Sequence, residues 1–227
     1  MSALKKDQNW QDFVEGEIYA DVEAPWRNDP AYTLLLQFPG LRESVGGRIT
    51  DALNQAVGLV RAMTQVDLLE KVRTNRPARG LCLGFGLNVL EPYDLLRVFA
   101  LDRVHAYEWI GEHVIEAAQA LQALRATDPP LPGRIRLHHG TLSDLGALAN
   151  GSIGIVYVAN VFNPEIPITE ETFEQTVKEI VRVLTPGGFL LSRGSSGVLE
   201  TALSQHGRML LQTPLVSVFQ KEQEERE

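Results

Sequence analysis

Apolar and polar positions along the chain follow two different periods. In residues 47–72, apolar side chains recur every three or four positions between Ile49 and Met63. This spacing predicts an amphipathic helix, or two helices if Asp67 begins a second one. From Pro77 onward, short apolar runs alternate with helical patterns, and this alternation predicts a mostly parallel sheet covered by helices.

Five apolar runs predict the parallel strands: "GLCLGF", "RVHAYEW", "GRIRLHHG", "SIGIVYVANVF" and "FLLSRG". We expect the helix after the first strand to begin at Pro92, and the helix "TFEQTVKEIVRVL" to stop at "TPGG". Near the end, only Pro214 separates "RMLLQT" from "LVSVFQKE", which predicts an antiparallel hairpin at a sheet edge. The expected fold is therefore α/β, with a seven-stranded sheet and helices on both of its faces.

The chain divides into three predicted parts. Residues 1–75 are expected to form a helical extension that acts as a lid, residues 76–220 the α/β domain, and residues 221–227 a charged tail. The segment "FVEGEIYADVEAPW" mixes aromatic rings with carboxylates. It could pack as an apolar flap on the domain, or its rings and charges could surround a cationic amine.

Charge and composition exclude several classes of protein. The formal net charge of −8 and the absence of a basic run argue against a nucleic-acid partner, because phosphate contacts need Lys and Arg. The longest apolar runs are too short to cross a bilayer, and the first residues lack a signal-peptide core, so we expect a cytoplasmic protein. With Cys82 as its single cysteine and no histidine at ligand spacing, the sequence predicts neither a disulfide nor a metal site.

The stretch "RGLCLGFGLNVLEPYDLL" predicts a strand, a glycine turn and a helix. Gly84 and Gly86 fall at the carboxyl end of the first strand, where α/β sheets bind nucleotide-like ligands. The nicotinamide and flavin fingerprint G-x-G-x-x-G/A would need a small residue at position 89. Val89 would hold the helix away from the strand, so that fingerprint does not fit.

Residues 77–220 resemble the class I S-adenosylmethionine-dependent methyltransferases in several motifs. "EIVRVLTPGGFLL" matches the family's helix and fifth strand, and "HHGTLSDL" matches the segment beside the adenine. Glu108 lies 22 positions after Gly86 (108 − 86), where the family carries the acid that holds the ribose hydroxyls. The closing hairpin also suits the family, whose Rossmann-like sheet has an antiparallel last strand.

This resemblance implies S-adenosylmethionine as the cofactor. The binding residues that it implies are Gly84, Phe85, Gly86, Asn88, Glu108, Trp109, Thr141, Leu142 and Asn160. The chain departs from the family pattern at three positions. Cys82 stands in place of an acid within the first strand, Asn88 in place of a third glycine, and Thr141 in place of an aspartate.

The implied activity is methyl transfer to a small-molecule acceptor, for which an amine is one candidate. The sequence assigns no catalytic residue and no oligomeric state. One alternative is a catalytically inactive relative that serves in binding or assembly, which the changes at Cys82 and Asn88 favour. Another is aminopropyl transfer on the same scaffold, but that reaction needs an acid after the fourth strand, and the sequence shows none that we can assign.

Overall fold

The fold is described from a computed structural model of the chain. The described residues are 34, 37, 38, 52–75, 77–126, 129–162, 166, 168–194, 197–213 and 216–223. The aromatic-rich segment of the predicted extension lies outside them, as does most of the predicted charged tail. The predicted domain boundaries and the predicted lid therefore stay predictions.

Within the part of the chain that the structure describes, seven strands form a single sheet. They are β1 (Arg79–Leu83), β2 (Arg103–Glu108), β3 (Ile135–His139), β4 (Ile153–Ala159), β5 (Leu184–Arg193), β6 (Gly207–Gln212) and β7 (Val216–Lys221). Their order across the sheet is β3-β2-β1-β4-β5-β7-β6. The first five strands are parallel, and β7 pairs antiparallel with both β5 and β6. The predicted parallel sheet with an antiparallel hairpin at its edge is confirmed.

Helices connect the strands and cover both faces. They are α1 (Ala52–Thr64), α2 (Leu68–Thr74), α3 (Leu90–Val98), α4 (Gly111–Ala123), α5 (Leu131–Arg134), α6 (Glu170–Val183) and α7 (Val198–Leu203). Of the two alternatives for residues 47–72, the structure has two helices, α1 and α2. Asp67 caps α2 by accepting a hydrogen bond from the backbone N–H of Glu70 at 3.0 Å.

Each face of the sheet has its own apolar core. On one face, α1 and α2 contribute Leu53, Val60 and Leu68 to the same buried cluster as Cys82 of β1. Fully burying such an aliphatic side chain contributes roughly 1.5–3 kcal/mol, so these two helices help to hold the α/β domain together. Met63, which the periodicity predicted on the buried face of α1, is 47% exposed instead.

The opposite face has a second buried cluster. It joins Leu81 of β1 and Val156 of β4 to Ile180 of α6 and Leu199 of α7. The strand β4 is buried along its whole length, because α-helices cover both of its faces. This matches the almost wholly apolar run from which the strand was predicted.

The start of α3 differs from the prediction. The helix begins at Leu90, and Pro92 lies at its third position rather than its first. The first four N–H groups of a helix have no partner within the helix, so proline loses no hydrogen bond there. The helix therefore begins two residues earlier than predicted, which brings Glu91 into its first turn.

The end of α6 also differs. The helix ends at Val183, and "TPGG" forms the irregular beginning of β5 instead of a turn before it. Gly187 has a left-handed φ of +73°, and a Cβ added at Gly188 would lie 2.8 Å from the carbonyl oxygen of Thr185. The pairing of β4 with β5 accordingly shifts register between Ile153 and Ile155.

The strand order reverses at β1, which lies between β2 and β4. Ligands of parallel α/β sheets bind beyond the carboxyl ends of the strands at such a reversal. The glycine turn follows β1 and Glu108 is the last residue of β2, and both strands end at this edge. Among the described residues, no helix is long and apolar enough to cross a membrane.

Candidate cofactor site

The turn after β1 depends on two glycines with left-handed backbones. Gly84 has φ +66°, and a Cβ there would lie 2.6 Å from Cγ2 of Val161. Gly86 has φ +57°, but a Cβ there would meet no atom of the described residues within 4 Å. Gly84 is therefore required for space and conformation, whereas the backbone at Gly86 faces open space that a ligand could approach.

Glu108 ends β2 with a buried carboxylate that is 2% exposed. Its Oε2 accepts the backbone N–H of Gly86 at 2.8 Å, and its Oε1 accepts that of Ile110 at 3.0 Å. The imidazole Nδ1 of His113 lies 3.6 Å from Oε1. Each carboxylate oxygen has a second lone pair, so two acceptor positions remain among the described residues, enough for the two hydroxyls of a ribose.

Asn88, at the third glycine position of the family pattern, closes the turn. Its backbone N–H donates to the carbonyl of Phe85 at 2.9 Å, and its side-chain Nδ2 lies 3.5 Å from Oε1 of Glu91. Its Oδ1 is buried and has no hydrogen-bond partner among the described residues. Val89, which does not match the nicotinamide and flavin fingerprint, is 1% exposed and packs in the core.

The two aromatic residues predicted at the site lie in different environments. Phe85 is 2% exposed and belongs to the buried cluster that contains Cys82. Trp109 is 69% exposed, and its carbonyl lies 3.0 Å from Nε2 of His139. The exposed indole of Trp109 can therefore flank a flat ligand, whereas Phe85 can offer a ligand only its backbone.

The segment predicted beside the adenine begins at the end of β3. The backbone N–H of Gly140 donates to the carbonyl of Glu108 at 3.1 Å, which ties this segment to the end of β2. Thr141 is exposed, and its Oγ1 accepts from Oγ of Ser143 at 3.3 Å. Leu142 packs partly against the core on the opposite face of the sheet.

Arg182 of α6 holds the rest of this segment in place. Its guanidinium donates to the carbonyls of Leu145 at 3.0 Å and Leu148 at 2.8 Å, and to Oδ1 of Asn150 at 2.8 Å. It also pairs with Glu179 at 2.7 Å, while Oε2 of Glu179 accepts the backbone N–H of Leu145 at 3.0 Å. One arginine thus organises a connection that has no helix of its own.

Asn160 follows β4 with a left-handed φ of +56°. Its backbone N–H donates to the carbonyl of Arg193 at 2.9 Å, and its Oδ1 lies against Gly194. The next residue, Val161, is the one that Gly84 approaches most closely. The segment after β4 therefore borders the glycine turn at the same edge as Glu108.

Comparison with known proteins identifies the family of the chain. Residues 80–192 match the family model described as a methyltransferase domain. The matched range contains the glycine turn, Glu108 and the connection after β3, and the sheet has the order described above. The chain belongs to the class I S-adenosylmethionine-dependent methyltransferases. No curated protein matches its sequence.

Solved structures of similar fold include three methyltransferase relatives. A methyltransferase from Geobacter sulfurreducens is 19% identical with a TM-score of 0.55, and the match covers 95% of this chain and 98% of that one. A TehB-like S-adenosylmethionine-dependent methyltransferase from Corynebacterium glutamicum is 17% identical with a TM-score of 0.52, over 85% and 98% of the chains. A candidate sarcosine dimethylglycine methyltransferase from Galdieria sulphuraria is 14% identical with a TM-score of 0.52, over 70% and 63% of the chains.

This methyltransferase has a buried polar cluster that the sequence did not predict. Cys82 is fully buried, and burial together with the charges of Glu91 and Glu108 raises the pKa of its thiol well above the usual value. Burial also raises the pKa of Glu91 to about 8. Tyr157, which pairs with Cys82 across β1 and β4, hydrogen-bonds Arg193, and burial raises the pKa of its hydroxyl. No spacing in the sequence singles out Glu91, because its role depends on its burial in the folded chain.

A second cluster lies on the opposite face of the sheet. Nδ1 of His105 is 3.0 Å from Nε2 of His138, and the His138 ring stacks on Tyr107 with centroids 4.4 Å apart. Burial lowers the pKa of both imidazoles, that of His105 to about 4. Among the described residues, no group of three or more His, Cys, Asp or Glu is placed to hold a metal ion.

Proposed function

We propose that this methyltransferase transfers the methyl group of S-adenosylmethionine to a small-molecule amine. The observation that carries the proposal is the pairing of Glu108 with the turn at Gly86. It brings a carboxylate with two remaining acceptor positions to a glycine turn, where a Cβ added at Gly86 would meet no atom of the described residues within 4 Å. This combination suits an adenosyl group, whose ribose offers two hydroxyl donors and whose attached chain must pass close to the main chain.

The residues present fit that cofactor in separate ways. The carboxylate of Glu108 would accept both ribose hydroxyls, and the exposed indole of Trp109 would flank the adenine. Thr141 and Leu142 would border the other side of the ring, and Asn160 would border the reacting end. When bound, the cofactor supplies an electrophilic methyl group on a sulfonium.

An amine acceptor needs fewer catalytic groups from this site than an oxygen acceptor does. Its lone pair attacks directly once its proton is lost, whereas an oxygen nucleophile needs a placed general base. The imidazoles of His105 and His138 hydrogen-bond each other on the opposite face of the sheet, so neither is a suitable base for the acceptor. The carboxylates and aromatic rings of residues 1–45 would attract a cationic amine and close over the site as a lid. The Galdieria relative, a candidate sarcosine dimethylglycine methyltransferase, is also linked by its name to amine substrates.

The proposal is tested in two stages. Mass spectrometry of the purified protein and calorimetric titration with S-adenosylmethionine and S-adenosylhomocysteine measure cofactor binding. Radiolabelled methyl transfer is then followed with a panel of small primary, secondary and tertiary amines and a matched panel of alcohols and thiols. We expect micromolar or tighter cofactor binding and turnover with amines only.

Three results would contradict the proposal. Absence of binding by either cofactor form would remove the methyl-transfer assignment. Binding accompanied by transfer only to alcohols or thiols would remove the amine. Binding with no transfer to any acceptor would instead support the inactive binding or assembly protein that the changes at Cys82 and Asn88 favour.

A further inference from the structure

The first turn of α3 contains a carboxylate that the described structure leaves unsatisfied. Glu91 is half-buried as a residue, but its Oε2 is buried and has no hydrogen-bond partner among the described residues. Its Oε1 has only Asn88 Nδ2, at a distance of 3.5 Å that is long for a hydrogen bond. A buried carboxylate without good donors is costly and is rarely kept without a partner.

The surroundings of Glu91 are rich in acids. Asp94 lies on the same helix, and Glu108 lies at the end of β2; both raise the pKa of Glu91, as burial does. Arg193 at the end of β5 and the Asn88 side chain lower it, but the result is still a pKa of about 8. From β1 and β4, the thiol of Cys82 and the hydroxyl of Tyr157 also interact with this carboxyl group.

Glu91 also lies beside the proposed cofactor site. Asn88, its partner, closes the glycine turn, and Gly86 in that turn donates to Glu108. Cys82 is fully buried at the strand position where the family resemblance implies an acid, and its raised pKa keeps the thiol uncharged. A carboxylate in this neighbourhood therefore comes from α3 and not from β1.

We propose that Glu91 binds the α-ammonium group of S-adenosylmethionine through its unpaired Oε2. The inference rests on the proposed function, since it assigns a residue to one end of the same cofactor. An ammonium has three donors and a full positive charge, so it supplies both the hydrogen bond and the counter-charge that Glu91 lacks. Arg193, whose charge acts on Glu91, adds a positive charge suited to the carboxylate of the same amino-acid group.

The proposal has a thermodynamic signature. Glu91 holds a proton at neutral pH because its pKa is about 8. An ammonium placed against it favours the charged carboxylate, so binding must release that proton to the solvent. Affinity for a ligand with an ammonium should therefore rise about tenfold per pH unit between pH 6 and pH 7, below the range in which an α-amino group itself titrates.

The test uses calorimetry on the whole protein at pH 6.5 in buffers with different ionisation enthalpies. The ligands are S-adenosylmethionine, S-adenosylhomocysteine and 5′-methylthioadenosine, which keeps the adenosine but lacks the amino-acid group. The variant is Glu91→Gln, and the matched control is Glu170→Gln, an exposed glutamate in the first turn of α6.

We expect the wild type to release about one proton with the two amino-acid ligands and none with 5′-methylthioadenosine. Glu91→Gln should abolish the release and weaken both amino-acid ligands at least tenfold, as expected for a lost hydrogen bond to a charge. It should leave 5′-methylthioadenosine unchanged, and Glu170→Gln should match the wild type throughout. If Glu91→Gln does not fold, the wild-type pH profile of the two classes of ligand gives the same comparison.

The possible failures are distinguishable. If the wild type binds none of the three ligands, the proposed function itself is wrong. Tight binding without proton release, and without loss in Glu91→Gln, would overturn the Glu91 assignment and leave the function intact. Equal weakening of all three ligands would show that Glu91 only shapes the turn, and weakening of S-adenosylmethionine alone would place Glu91 at the sulfonium instead.

Discussion

The backbone N–H of Gly86 donates to Oε2 of Glu108 at 2.8 Å, which joins the glycine turn after β1 directly to the end of β2. The same carboxylate accepts the backbone N–H of Ile110 through its other oxygen. Glu108 therefore stabilises the glycine turn in addition to its proposed role in binding the ribose. A substitution at this position should reveal both.

Glu108→Ala should weaken the binding of S-adenosylhomocysteine at least tenfold, because two hydrogen bonds from ribose hydroxyls to a charged group are lost. It should also lower the melting temperature, since the N–H groups of Gly86 and Ile110 lose their acceptor, at a cost of roughly 1–3 kcal/mol each. Calorimetry and thermal melting measure the two effects. A 2′,3′-dideoxy analogue of the ligand provides the control, and an equal loss of affinity for it would contradict the ribose assignment.

Arg182→Ala should destabilise the protein and weaken cofactor binding, because the connection after β3 loses four interactions at once. We expect a loss of about 2–4 kcal/mol, typical of breaking a partly buried network. Denaturant unfolding and calorimetry provide the readouts. Lys178→Ala is the control on the same helix, since its pair with Glu174 spans 3.8 Å between exposed side chains and should contribute almost nothing. Matching effects for the two variants would show that Arg182 has no special role.

Acid should destabilise the fold through the paired imidazoles of His105 and His138. Burial holds the pKa of His105 near 4 in the folded protein, whereas the unfolded chain takes up the proton near 6.5. Stability is therefore present above pH 6.5 and is lost as the pH falls towards 4, by up to about 1 kcal/mol per pH unit. His105→Leu should flatten this part of the stability profile, measured by urea unfolding between pH 4.5 and pH 7. His206→Leu, which is outside the stack, should not; a profile unchanged by His105→Leu would contradict the assignment.

The order of the elements and the parallel sheet were predictable because strand and helix periods alternate clearly after Pro77. The edges of elements were harder to predict. Pro92 and "TPGG" are strong local signals for a helix start and a turn. In the folded chain, however, α3 begins two residues before Pro92, and "TPGG" is part of β5. At the site, spacing from Gly86 identified Glu108, but no sequence pattern reveals that its carboxylate also binds the turn. Glu91 escaped prediction because its significance depends on burial, which only the packed fold determines.

The predicted lid can be separated from the core by two truncations. A chain beginning at Gly46 keeps α1 and α2, so it should fold and bind cofactor but lose transfer to the acceptor. A chain beginning at Pro77 lacks Leu53, Val60 and Leu68, which are buried in the core, and should fail to fold. Circular dichroism, calorimetry and the transfer assay measure these three properties. Full transfer activity in the first truncation would contradict the lid.

Substitutions at Cys82 and Glu91 can move the proposed ammonium-binding carboxylate from α3 to β1. Cys82→Asp alone should destabilise the protein without tightening the binding of S-adenosylhomocysteine, because the new carboxylate would be buried close to Glu91. In the Glu91→Gln background, the same change should regain at least tenfold in affinity for this ligand, since a single carboxylate again faces the ammonium. Cys82→Asn in that background is the neutral control and should regain nothing. Calorimetry and thermal melting of the four variants measure these effects. If Cys82→Asp binds the ligand no better than Cys82→Asn when each is combined with Glu91→Gln, the two positions do not share an ammonium.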